Sequence, residues 1–197
     1  RTLRVIKPYP FTFATFVKNR WIGRSVLDVY HDEFGSYPRS YYESAIRSGR
    51  ILVSHQKVSP TYLLRSQDEI THTVHRHEPA VAISCSQNPV TVISETDAIL
   101  VVDKPSTVPI HPCGGYNFNS LFFILQNAYP RLKDGGLFTV HRLDRLTSGL
   151  SIIAKRSEVA TQLGQCIMSR GCEKVYLARV KGRFPLGMTE GGRTAAV

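Results

Sequence analysis

Hydrophobic positions recur at a helical spacing twice in the first 50 residues and then switch to a period of two. From Ser25, a suitable N-cap, Val26, Val29, Tyr30 and Phe34 repeat at helical intervals until Gly35. A second helix is predicted from Ser40 to Ser48, with Tyr42, Ala45 and Ile46 on one side and Gly49 as its stop. Ile51 to Val53 reads as a short strand, His55-Gln56 as a tight turn and Lys57-Val58 as a return that Ser59-Pro60 breaks. After a polar turn at Gln67-Asp68, Ile70, His72 and Val74 alternate with Thr71, Thr73 and His75, as on a half-buried strand. Residues 1–24 are aromatic and basic with prolines at 8 and 10, and read as an irregular arm. The polar segment around 79–89 reads as a linker.

The second half opens with two predicted strands, Val90 to Ile93 and the continuous apolar run Ile99 to Val102. A loop through His111 to Gly115 leads to a helix from Ser120 to Ala128, with Leu121, Ile124 and Leu125 on one face. A turn at Gly135-Gly136, a strand entering at Phe138 to Val140 and a buried strand Leu150 to Ala154 follow. Ser157 is predicted to cap a helix reaching Met168, and Lys174 to Val180 alternates like a last strand. No internal repeat, Walker loop, glycine-rich dinucleotide loop or His-Glu-x-x-His is present.

Composition narrows the function classes. The 197 residues carry 25 Lys and Arg against 15 Asp and Glu, a net charge of +10. With 42% apolar residues this is the mix of a folded chain and not of a disordered one. No stretch approaches the ~18 uncharged apolar residues of a membrane span, and no membrane role is expected. The chain opens on Arg1 and not on Met, which leaves room for a preceding segment. The charge favours a polyanionic partner, because each neutralised phosphate releases counterions; the alternative is a merely soluble basic protein. It divides evenly between residues 1–88 and 89–197, so both halves are expected to contribute if RNA or DNA binds.

Cysteines at 85, 113, 166 and 172 form no Cys-x-x-Cys pair, so reduced thiols in an intracellular compartment are expected, with cytoplasm, nucleus and organelle left open. The histidines at 72, 75 and 77 lack acidic or cysteine companions at ligand spacing. They read as a surface or RNA-facing cluster and not as a metal site.

The densest chemistry lies at His141-Arg142-Leu143-Asp144-Arg145-Leu146-Thr147-Ser148-Gly149-Leu150. An aspartate between two arginines stays ionised. Such a carboxylate is suited to act as a nucleophile or to stabilise a cationic sugar transition state, and it is a poor general acid. Arginines here suit phosphates or the gap left in a base stack. A structural Arg–Asp–Arg ion network at a strand end is the competing reading.

Two resemblances sharpen this picture. The helix ending Ala45-Ile46-Arg47-Ser48-Gly49-Arg50, the strand Ile51-Leu52-Val53 and Gln67-Asp68-Glu69-Ile70 resemble an S4 RNA-binding domain, with Ser54-His55 where the family turn has Asn-Gly. The decapeptide at 141–150 is similar to the signature of the RluA family of RNA pseudouridine synthases. Further blocks follow that family's order: Val101 to Ser106, Val108 to Pro112, Asn119 to Leu121, Lys174 to Ala178 and Val180 to Gly182.

The resemblance implies an α+β chain. A small S4-like α/β RNA-binding domain (25–78) would follow the arm (1–24). After the linker would come the first part of a catalytic domain (90–185) on a mixed, mainly antiparallel sheet. It implies a cofactor-free, metal-free isomerase that converts uridines of tRNA, rRNA or mRNA to pseudouridine, with no oligomer indicated. Asp144 matches the catalytic aspartate that starts cleavage of the N1–C1′ bond. Arg142 matches the arginine that fills the space of the flipped base, and Tyr176 the tyrosine that stacks on it. Arg145, Lys104 and His111 are expected to bind substrate or shape the site. Arg39, Arg47, Arg50 and Lys57 are expected to bind RNA. The resemblance stops near Pro185, and residues 186–197 read as an unrelated or truncated tail lacking the family's third motif. On that ground the expectation is a poor enzyme with exposed sheet edges, the rival being a non-catalytic RNA-binding protein of the S4 type.

Overall fold

The computed structural model describes residues 2–85, 87, 89–133 and 136–182. The expected turn at Gly135-Gly136 lies partly, and the tail 186–197 wholly, outside the described residues.

The first unit is a three-stranded antiparallel sheet under two short helices. Helix α1 (Val26–Val29) starts where the Ser25 hydroxyl accepts the Asp28 N–H at 3.1 Å. It widens into a single π turn, Tyr30–Phe34, and stops at Gly35 with φ 55°. Helix α2 (Arg39–Ser48) ends at Gly49 with φ 81°, a left-handed position that glycine takes without strain. Val26, Val29, Tyr42, Ala45 and Ile46 meet Ile51, Val53 and Ile70 in one core.

Those sheet residues come from β3 (Ile51–Val53) and β4 (Glu69–Arg76), joined to β2 (Tyr9–Phe16) in the order β2-β4-β3. The arm is therefore not irregular: β2 pairs with β4 from Tyr9 opposite Arg76 to Phe16 opposite Glu69. Pro10 is tolerated because β2 is an edge strand. The tight turn falls one residue earlier than expected, on Ser54 and His55 with φ 48° and 63°. Val53 and Gln56 close it by exchanging backbone hydrogen bonds of 3.0 and 2.8 Å.

His72 corrects the reading of a surface histidine cluster. It sits in mid-strand opposite Ile51 and Phe13 and is only 7% exposed. Burial, with the Arg50 charge, pushes its pKa down to about 4. His75 and His77 are exposed, with ring nitrogens 3.0 Å apart.

The segment read as a linker is also built in. Strand β1 (Thr2–Arg4) pairs with β5 (Val81–Ile83), and Val81 and Ile83 enter the core of the second unit. That core also holds Leu100, Val102, Ile153 and the Leu121, Ile124 and Leu125 face of α3 (Leu121–Ala128). Its sheet runs β6-β7-β9-β8, from β6 (Thr91–Glu95), β7 (Ile99–Lys104), β8 (Phe138–Thr139) and β9 (Gly149–Ala154). Every pairing among the described residues is antiparallel, so the expected mixed sheet is antiparallel throughout.

Helix α4 (Ser157–Met168) lies against β8 and β9 but buries none of its side chains. Ser157 is its first residue and Arg156 holds the cap position. Leu150 in β9 is exposed. Lys174 to Val180 forms no strand, and Val175 and Leu177 are exposed. Among the described residues no helix is long and apolar enough to cross a membrane.

Candidate active site

The loop between β8 and β9 carries the candidate carboxylate. It leaves the sheet at His141, whose Nε2 accepts the Ile152 N–H at 3.1 Å. In the neutral ring the proton therefore sits on Nδ1. Burial, with Lys174 nearby, lowers the His141 pKa and favours that neutral ring. Leu143 is buried and anchors the loop, while Arg142, Asp144 and Arg145 are exposed around it. The Asp144 carbonyl accepts the Thr147 N–H at 3.0 Å, closing a tight turn that presents the carboxylate. Gly149, at φ 123°, returns the chain to the sheet directly opposite Lys104.

Lys104 holds this turn from below. Its side chain is fully buried, and Nζ donates to the carbonyls of Val108 at 2.8 Å, Pro105 at 3.0 Å and Arg145 at 3.4 Å. Burial, then the Arg145 charge, outweigh Asp103 and Asp144 and push its pKa down to about 8, so the ammonium persists at neutral pH. Lys104 was expected to bind substrate or shape the site; the structure buries it beneath the loop with its three donors on backbone carbonyls. On the outer side the Arg145 guanidinium lies over Tyr116, 5.5 Å from the ring centroid. A polar cavity of about 370 Å³ opens beside the loop, lined by Ser84, Asp103, Ser106 and Ser148 among others.

The fold thus gathers Asp144, Arg142 and Arg145 on one short loop over Lys104. His111 is exposed on the connection from β7 to α3. Tyr176 is 63% exposed on a stretch without strand structure, so its expected setting on a strand is not found. In the first unit Arg39 pairs with Asp28 at 2.6 Å and Arg47 with Glu43 at 2.8 Å. Arg50 lies over the Tyr41 ring at 4.9 Å, and Lys57 is exposed. All four are solvent-facing cations, and exposed pairs of this kind hold a side chain only weakly, by about 0–1 kcal/mol.

One functional group escaped the sequence reading. Glu78 is buried between the units. Its Oε1 accepts the Tyr9 hydroxyl at 2.7 Å and the Phe118 N–H at 2.9 Å, and its Oε2 accepts the Asn117 and Asn119 N–H groups at 2.9 and 2.8 Å. Burial alone would raise its pKa; these hydrogen bonds outweigh it and hold the carboxyl below its ordinary value. Arg4 Nε adds a bond to Asn119 Oδ1 at 3.1 Å. The only local signal was a carboxylate alone in a basic, His-rich stretch.

Comparison with known proteins agrees with the loop chemistry. The RNA pseudouridylate synthase family model matches residues 98–194, which include the whole Asp144 loop. Pseudouridylate synthase RPUSD2 of Mus musculus is 42% identical over 184 residues, covering 93% of this chain and 32% of the relative. RNA pseudouridine synthase 7 of Oryza sativa subsp. japonica is 41% identical, covering 93% and 45%. The mitochondrial tRNA pseudouridine(32) synthase of Saccharomyces cerevisiae is 41% identical, covering 93% and 38%. The chain spans 32–45% of the length of these relatives, and the likeness runs through both of its structural units. On the Asp144 loop and these matches together, residues 98–194 belong to the RNA pseudouridylate synthase family, and the chain is similar to its RluA-type members.

Proposed function

We propose that the protein isomerises uridine to pseudouridine in RNA, with Asp144 as the catalytic carboxylate. The observation that carries this is the Asp144 turn: an exposed carboxylate between Arg142 and Arg145, braced from beneath by the buried Lys104 ammonium. A carboxylate fixed between two guanidinium groups suits attack or charge stabilisation at a flipped nucleotide. The N1–C1′ bond breaks, the freed base turns and C5 bonds to C1′. The C5 proton leaves and N1, freed from the sugar, takes up a proton, so the step is a net isomerisation and needs no cofactor. Arg142 would occupy the space vacated in the helix, Tyr176 would stack on the target base, and Arg145 and His111 would meet the flanking phosphates.

In this reading residues 25–78 form an S4-like RNA-binding domain that offers Arg39, Arg47, Arg50 and Lys57 to the RNA backbone. Transfer RNA is the first substrate class to try, since the yeast relative is named for a tRNA position. Support comes from the +10 charge shared by both units and from the family of the Asp144 loop. The test is incubation of the purified protein with unmodified tRNA and rRNA transcripts, with pseudouridine read by mass spectrometry. Pseudouridine formation that Asp144→Asn reduces to background is expected. Formation that survives Asp144→Asn would overturn the assignment.

A further inference from the structure

A second concavity lies in the first unit between the β2–β4 sheet and the segment that carries Tyr30, Phe34 and Tyr37, and Gly114-Gly115 of the second unit close one end of it. It measures about 750 Å³, within the ~300–1,000 Å³ that accommodates a ligand of nucleotide size. Its walls are aromatic: Phe13 and Tyr37 stand 50% and 43% exposed, and Phe34 is also open to solvent. Solvated aromatic faces gathered in a groove are characteristic of binding sites. No carboxylate lines it, whereas Arg76, His75 and His77 do.

Arg76 ties this groove to the candidate active site. Its guanidinium lies 4.9 Å from the Phe11 ring and 5.7 Å from the Phe13 ring, and Nη2 donates to the Gly114 carbonyl at 2.8 Å. Gly114 and Gly115 form the tip of a turn closed by Cys113 and Tyr116, whose backbone groups bond reciprocally at 3.0 and 2.9 Å. Tyr116 is the ring beneath Arg145, next to Asp144. One turn of four residues therefore forms part of the groove at one end and touches the catalytic loop at the other.

We propose that this groove binds unpaired nucleotides of the substrate RNA, with bases against Phe13 and Tyr37 and the sugar-phosphate chain along Arg76, His75 and His77. The inference rests on RNA being the partner. Aromatic faces take any base, and a rim of one guanidinium and two imidazole rings without carboxylates complements a phosphate chain. The shared turn places the bound nucleotides beside the target uridine.

The probe is a fluorescently labelled octauridylate, compared by anisotropy with a blunt RNA duplex of the same length. Phe13→Leu/Tyr37→Leu keeps apolar volume and removes both rings. It is expected to weaken single-strand binding about tenfold or more, the scale of a lost base stack, and to leave duplex binding unchanged. Circular dichroism checks its fold; where it is unfolded, Phe13→Leu alone is used, since Phe13 is half exposed. A 4-thiouridine oligonucleotide is expected to crosslink at Phe13, Tyr37 or His75. Unchanged single-strand affinity, crosslinks confined to other residues, or a dimer in sedimentation that covers the groove would each overturn the proposal. Weakened single-strand binding in a protein that forms no pseudouridine would support the groove and sink the catalytic reading. Pseudouridine formation with unchanged affinity does the reverse.

Discussion

Lys104 donates to the carbonyl of Arg145 at 3.4 Å and so fastens the end of β7 to the residue that follows Asp144. Replacing it by methionine keeps the length and removes the donor. Three backbone carbonyls then lose a charged partner, at about 1–3 kcal/mol for each one left unsatisfied, partly offset by removal of a buried charge. Lys104→Met is expected to lower stability by about 1–3 kcal/mol in denaturant titrations. It is also expected to lower kcat for pseudouridine formation at least tenfold with little change in RNA affinity. Equal loss in kcat and affinity would assign Lys104 to RNA binding instead.

His72 makes the first unit sensitive to acid. Its folded pKa of about 4 lies below the ordinary 6.5, so between those values the unfolded chain binds the extra proton. Stability from this source is complete above pH 6.5 and falls as the pH drops toward 4. Between pH 7 and 5 the loss is about 2 kcal/mol, at ~1.4 kcal/mol per pH unit below 6.5. His72→Phe is expected to remove that part of the acid loss. Parallel pH dependences of wild type and variant in urea unfolding would refute the assignment.

Glu78 admits no neutral isostere. Each of its oxygens accepts two donors, so the amide nitrogen of Glu78→Gln faces two N–H or O–H groups in either orientation. A destabilisation of about 2–4 kcal/mol is expected, visible as a melting point lower by about 5–10 °C. A melting point within a degree of wild type would show that the carboxylate is not holding the two units.

The turn at Ser54-His55 offers the opposite sign. His55 sits at φ 63°, where a side chain costs roughly 1–2 kcal/mol, and its contact with Glu69 at 3.2 Å is exposed. His55→Gly is expected to raise stability by about 0.5–1 kcal/mol, as relief of this strain exceeds the entropy glycine adds to the unfolded chain. A loss in thermal unfolding would mean that the Glu69 contact outweighs the strain.

The helices were legible because period and stop signals coincide: Ser25, Gly35 and Gly49 each stand where the apolar spacing ends. The candidate catalytic loop was legible because its chemistry is contiguous, with Asp144 between its arginines. Strand β2 was not, since Pro8 and Pro10 read as breakers and only its place at a sheet edge makes Pro10 acceptable. Lys174 to Val180 failed in the other direction: alternation is a property of the segment, but a strand needs a partner, and none pairs with it among the described residues. Glu78 was invisible because its donors lie about 70 residues upstream and 40 downstream. Lys104 was found as a residue that binds substrate or shapes the site, but its burial was not legible, because burial of an ammonium does not show in a local pattern.

The Glu78 bridge bears on how RNA would be selected. A carboxylate shared by Tyr9 and the approach to α3 turns the stretch between the units into a brace instead of a hinge. On the proposed RNA-modifying reading, the protein would act as a fixed caliper, with the arginine-bearing helix at one jaw and Asp144 at the other. An RNA that engages both must supply the bending itself, so transcripts differing only in the stiffness between two contact points would be sorted by their own flexibility.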